Sequence, residues 1–108
     1  MPYSVIVEIS EIKNFLDQKI FSYGIISKKD EFGNFEIIWE EEKIKAFINE
    51  NVEGLKEGDL VYFRGTVRKY DEIKVFLDFI KKSNLKGKDI KKILQFFKNR
   101  KLLSNKKQ

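Results

Sequence analysis

The chain has 108 residues, enough for one domain with a tail, and its 42% hydrophobic and 14% aromatic content suffices for a packed core. It contains no cysteine and no histidine, which removes disulfides, thiolate metal sites, a cysteine nucleophile and the commonest general base. The net charge of +5 is unevenly divided: residues 1–80 carry eleven Lys and Arg against sixteen Asp and Glu, whereas residues 81–108 carry eleven against the single acid Asp89. An acidic body with a strongly basic end points to a polyanion or an acidic partner for that end, or to a solvated lysine-rich tail.

In chain order, "VIVEI" at 5–9 is short and apolar. Ser10 is placed to cap a helical turn that puts Ile12, Phe15 and Leu16 on one face, a plug under a sheet. "KIFSYGIISKK", 19–29, predicts a first long strand, with Gly24 marking a bend. "DEFGN" is a turn, and "FEIIWE", 35–40, a second strand with Phe35, Ile37 and Trp39 on one face. That parity puts Trp39 in the core unless the strand end twists outward. "EEK" at 41–43 is a tight connection into a third strand, 44–49, with Ile44, Ala46 and Ile48 inward and Lys45 and Phe47 outward. After the break "ENVEGLKEG", Leu60 to Tyr70 alternates, with Val61, Phe63, Gly65 and Val67 facing in and Tyr62, Arg64, Thr66 and Arg68 facing out. The fifth strand, 73–80, is apolar on both faces: Ile73, Val75, Leu77 and Phe79 on one, Phe76 and Ile80 among the other. Such a strand needs cover on both sides. The expected cover is a C-terminal amphipathic α-helix, N-capped by Asp89, with Ile90, Ile93, Leu94 and Phe97 as its apolar stripe and a candidate partner interface.

Five strands whose edges must be closed or covered predict an all-β fold, a five-stranded closed barrel over residues 1–82 with a basic helix and tail over 83–108. The pattern from Tyr23 to Ile80, above all "LKEGDLVYFRGTV" at 55–67, resembles the oligonucleotide/oligosaccharide-binding (OB) fold. With a helix after the fifth strand, the chain looks like the smaller subunits of replication protein A and their telomeric relatives, in which that helix docks on partner subunits. The resemblance implies binding of single-stranded DNA or RNA on the face of strands two and three, between the first and the last strand-connecting loops.

Stacking on aromatic faces and tracking of phosphates by cations is the physics such a site needs. The candidates are Lys28 and Lys29 beside the first loop, Lys45 and Phe47 on strand three, Tyr62, Arg64 and Arg68 on strand four, and Lys69 and Tyr70 at the last turn. Each has a plainer alternative. Phe47 can be covered by packing, Arg64 and Arg68 can pair with Glu36, Glu40 or Asp78, and Tyr70 can shield the barrel mouth. Glu36, Glu40, Glu41, Glu42, Asp30 and Glu31 oppose a phosphate backbone. An architectural protein that joins itself or a partner through the helix is therefore the second reading.

No cofactor, metal or catalytic role is expected. The "EEE" at 40–42 could meet a hard cation, but consecutive strand residues point apart. No apolar run approaches the ~20 residues of a membrane span, and the first residues lack the pattern of a signal peptide. No membrane association and a cytoplasmic location are expected.

Overall fold

Alternation of apolar and polar residues builds six strands and one short helix in the computed structural model, which describes residues 5–83. The elements are β1 (Val5–Ile6), a 3-10 helix (Ile9–Asn14), β2 (Lys19–Lys29), β3 (Asn34–Trp39), β4 (Glu42–Phe47), β5 (Leu60–Lys69) and β6 (Ile73–Lys82). The expected C-terminal helix, with Asp89, Ile90, Ile93, Leu94 and Phe97, lies outside the described residues.

Going round the sheet, the order is β2–β3–β4–β6–β5, and β5 pairs back onto β2, so five strands close on themselves. The neighbours are antiparallel except β4 and β6, which run parallel. Closure removes the unpaired edges that a five-stranded meander would expose. β2 changes partners at Ile25, pairing with β5 before it and β3 after it, as the bend expected near Gly24 requires. β1 adds to β2 in parallel. There the Val7 amide donates to the Phe21 carbonyl at 2.9 Å and the buried Ser22 hydroxyl donates to the Val7 carbonyl at 2.7 Å.

The barrel is filled from all five strands. Phe63, Ile20, Ile26, Ile37, Val61, Val67 and Val75 are fully buried, as is Ile12 of the helix. A 3-10 helix has three residues per turn, so Ile9, Ile12 and Phe15 fall in line and plug the barrel. The expected stripe of Ile12, Phe15 and Leu16 assumed a wider turn, and Leu16 is left exposed. Ser10 is not the cap either. The helix begins two residues earlier than that cap requires, at Ile9 behind Glu8, whose side chain makes no capping hydrogen bond. Trp39 is in the core, edge-on to Tyr23 with ring centroids 5.0 Å apart. Burial, helped by the neighbouring Glu8 carboxylate, pushes the Tyr23 phenol well above its usual range.

One strand departs from simple alternation. Arg64 opposes Phe79 and Gly65 opposes Leu77, so Asp78 is an extra residue in β6. A bulge of one residue exchanges the two faces beyond it. Phe79, expected to share a face with Val75 and Leu77, is half-exposed while they are buried, and Ile80, expected to share a face with Phe76, is buried. Gly65 is required at the same place: a Cβ there would lie 2.5 Å from the Phe76 carbonyl oxygen and 2.8 Å from Val75 Cγ1.

The connections are built by their polar residues. Between β2 and β3, the Asp30 carboxylate accepts from the amides of Phe32 (2.8 Å) and Asn34 (3.0 Å) and from Asn34 Nδ2 (2.9 Å). These bonds, that of the Asn34 side chain first, hold its carboxyl below the usual aspartate range. Gly33 takes φ +95° in this turn, and its carbonyl accepts from the Ile48 amide at 2.9 Å. The β3–β4 turn falls at Glu40–Glu41, one residue before the connection expected at 41–43, with Glu40 at φ +57°. In "EGD", the buried Asp59 accepts from the Lys56 amide at 3.0 Å, lies 3.6 Å from Lys82 Nζ, and feeds the chain into β5.

Candidate nucleic-acid interface

Register places the outward side chains of β3, β4 and β6 in rows that run across the strands. One row reads Lys28, Glu36, Lys45, Lys74, Arg68, each opposite the next on the neighbouring strand. Four cations and one acid thus cross five strands. The adjacent row reads Asn34, Phe47, Phe76, Thr66. Its two rings meet edge-on at 6.2 Å, and Tyr70 of the β5–β6 turn stands perpendicular to Phe76 at 6.0 Å.

Between these rows and the β2–β3 turn lies a groove of about 450 Å³, lined by Lys28, Lys29, Glu36, Lys45, Glu72 and Lys74 among others. Its two flanking turns carry the most exposed aromatic residues among the described ones, Phe32 at 72% and Tyr70 at 74%. Aromatic faces beside a line of cations suit a strand whose bases stack and whose phosphates are neutralised.

Of the acids expected to oppose phosphate, Asp30 and Glu36 line the groove, joined there by Glu72. Glu72 pairs with Lys45 at 3.0 Å. Glu36 accepts from the Ser27 hydroxyl at 3.0 Å. Arg68 pairs with Asp17 at 2.6 Å, a partner the sequence did not suggest, while Arg64 lies 3.9 Å from the expected Asp78. Lys29 donates to the Leu55 carbonyl at 2.5 Å. Such exposed pairs are worth little and yield to a competing anion.

A second aromatic cluster lies further along β6. Phe79 contacts Phe21 at 5.9 Å and Tyr62 at 6.2 Å, with Arg64 over Phe21 at 5.7 Å and Lys81 over Phe79 at 5.4 Å.

Of the sequence candidates, Lys28, Lys29 and Lys45 line the groove, Arg68 continues the row of Lys45, and Phe47 and Tyr70 meet through Phe76. Lys69 is exposed at the end of β5 beside Tyr70. Tyr62 and Arg64 belong to the second cluster, so the nine residues do not line one groove. Sequence reasoning passed over Lys74, Phe76 and Phe32. A signal for the first two was available: "KAF" at 45–47 and "KVF" at 74–76 share the pattern K-x-F, and the parallel pairing sets Lys45 beside Lys74, Ala46 beside Val75 and Phe47 beside Phe76.

Among the described residues no group of acids is placed to hold a metal ion, and no helix is long and apolar enough to cross a membrane.

No protein-family model matches the sequence, and a search of curated proteins finds no match. Solved structures do match. The telomere capping protein Ten1 from Saccharomyces pombe is similar with a TM-score of 0.77 at 14% identity, over 92% of this chain and 98% of that one. A chain of the S. pombe Stn1–Ten1 complex gives 0.75 at 13% identity, over 92% of both. Replication protein A of U. maydis, bound to single-stranded DNA, gives 0.69 at 9% identity, over 86% of this chain and 87% of that one. The closed barrel is thus the OB-type fold that the sequence resembles.

Proposed function

We propose that this chain is a non-enzymatic OB-fold protein that binds single-stranded nucleic acid, acting as a replication-protein-A-like subunit in DNA replication, repair or recombination. The observation that carries the reading is the row of Lys28, Lys45, Lys74 and Arg68 laid beside Phe47, Phe76 and Tyr70. Cations follow the phosphates and the rings receive bases. The replication protein A structure with single-stranded DNA supports it by analogy of fold. The basic end, residues 81–108, adds phosphate contacts. A cytoplasmic location goes with this reading.

The test is fluorescence anisotropy of labelled single-stranded DNA and RNA of about 20 nucleotides, longer than one barrel's site of roughly 4–16. Full-length protein is titrated at two salt concentrations, beside a version ending at Lys82. Binding by both versions, weakened by Lys45→Glu, is the expected result. Binding by the full-length chain alone would move the site to the basic end, and no binding by either would refute the reading.

A second reading has its own observation. The Phe21–Phe79–Tyr62 cluster is an aromatic surface away from the groove, and one of the similar structures is a two-protein complex. In this reading the chain is an architectural subunit that joins itself or a partner, with Ile90, Ile93, Leu94 and Phe97 as the contact. Ile93→Asp would then release the second chain in light scattering while leaving any oligonucleotide affinity unchanged.

A further inference from the structure

We propose that Glu36 reads a base edge and selects guanine from the strand that crosses the groove. This rests on the single-strand reading above and adds to it the identity of one base.

Glu36 occupies the centre of the groove wall, on β3, between Lys28 on one side and Lys45 on the other. Among the described residues it forms no ion pair, although both neighbours in its row are lysines. Lys45 turns instead to Glu72, at 3.0 Å. One contact that steadies the carboxylate is the Ser27 hydroxyl, 3.0 Å from Oε1. A carboxylate has about four lone-pair positions across its two oxygens. Even with one engaged, both oxygens still have positions free to accept.

An ionised carboxylate can only accept. It repels phosphate, so a strand that satisfies the four cations of the row cannot also lay its backbone over Glu36. What it can present there is a base edge, and single-stranded bases have their Watson–Crick edges free. The four edges are not equivalent. Guanine presents two adjacent donors, N1–H and N2–H, at the spacing of the two carboxylate oxygens. Adenine and cytosine present one donor beside an acceptor, and thymine or uracil one donor between two acceptors. Only guanine meets the carboxylate with two hydrogen bonds and no opposed lone pair. A bidentate pair of this kind discriminates by roughly tenfold or more.

The test compares labelled strands of about 12 nucleotides, within one barrel's reach: oligo-dT, the same strand with isolated guanines, and that strand with inosine for each guanine. Lithium salt and the isolation of the guanines prevent four-stranded structures. Inosine keeps N1–H and loses the N2 amine. We expect the guanine strand to bind about tenfold more tightly than oligo-dT, inosine to remove most of that gain, and Glu36→Gln to equalise the strands, with oligo-dT bound more tightly than by the parent protein because an acid has left the cationic row. Ser27→Ala, which leaves the carboxylate and removes its hydroxyl contact, should narrow the preference. Equal binding of guanine and thymine strands would overturn the proposal and leave the single-strand reading standing. So would a guanine preference that survives in a folded Glu36→Gln protein. If Glu36→Gln fails to fold, an unchanged preference in Ser27→Ala with full inosine tolerance would overturn it. Failure of every strand to bind would refute the single-strand reading itself, and this inference with it.

Discussion

Lys74 is the sharpest test of the cationic row. It stands opposite Lys45 on one side and Arg68 on the other, lines the groove, and forms no ion pair among the described residues. Lys45 and Arg68 each have a carboxylate partner within 3.0 Å that a phosphate must displace; Lys74 has none to lose. If the four cations of the row each neutralise one phosphate, the affinity for a single strand falls with a log–log salt slope of about −2.8, at roughly 0.7 per phosphate. Between 50 and 200 mM salt that is a loss of roughly 50-fold. Lys74→Gln keeps a polar side chain, one atom shorter, and removes one charge contact, so the slope becomes about −2.1 and the loss roughly 20-fold. The assay is anisotropy at four or more salt concentrations, with oligo-dT as ligand. An unchanged slope in the variant would show that no phosphate lies over Lys74, and the path of the strand across β4 and β6 would be wrong even if binding itself were real.

Other substitutions separate the site from its scaffold. Glu72→Gln frees Lys45 and should raise oligonucleotide affinity a few-fold at low salt while moving the melting temperature little, since exposed pairs contribute about 0–1 kcal/mol. Gly65→Ala puts a methyl group 2.5 Å from the Phe76 carbonyl oxygen and should cost about 1–3 kcal/mol in urea unfolding. Phe63→Ala, at a fully buried position, should cost about 3–5 kcal/mol. The β2–β3 turn should be acid-sensitive. The folded-state value of Asp30 lies below its unfolded one, so its contribution is present above the ordinary aspartate range and is lost as pH falls through the lowered value. The amide shifts of Phe32 and Asn34 should follow that titration, and Asp30→Ala should abolish it.

Local pattern carried the barrel a long way. Alternation in "LVYFRGTV" put Val61, Phe63 and Val67 inside, where they are, because period-two patterning is written into the chain residue by residue. It failed where geometry depends on a distant strand. The bulge at Asp78 is a mismatch between β5 and β6, and nothing in "IKVFLDFI" alone marks where the faces exchange. The 3-10 turn shifted the helix face because its period, not its composition, differs from the one assumed. The site was half legible for the same reason. Lys45 and Phe47 follow from parity and Lys28 from its place beside the first loop, but Lys74 and Phe76 join them only through a parallel pairing of β4 with β6, between strands that are not consecutive in sequence. Glu36 reads in the sequence simply as an obstacle to phosphate, and only the pairing of β3 with β2 and β4 sets it between Lys28 and Lys45.

The return of β5 onto β2 also sets how this chain acquires its structure. That seam joins residues 19–25 to residues 60–66, so it forms only after the two hairpins between have been gathered in, and the entropy of that large loop is lost before the seam's contacts repay it. Until then β2 offers a bare edge. Folding should accordingly be slow for so small a chain, on the order of milliseconds to seconds, and cooperative, with no stable fragment lacking either β2 or β5. A nascent chain released before Lys69 would therefore present unpaired strands to its neighbours, and the same seam that completes the barrel is what keeps it from aggregating.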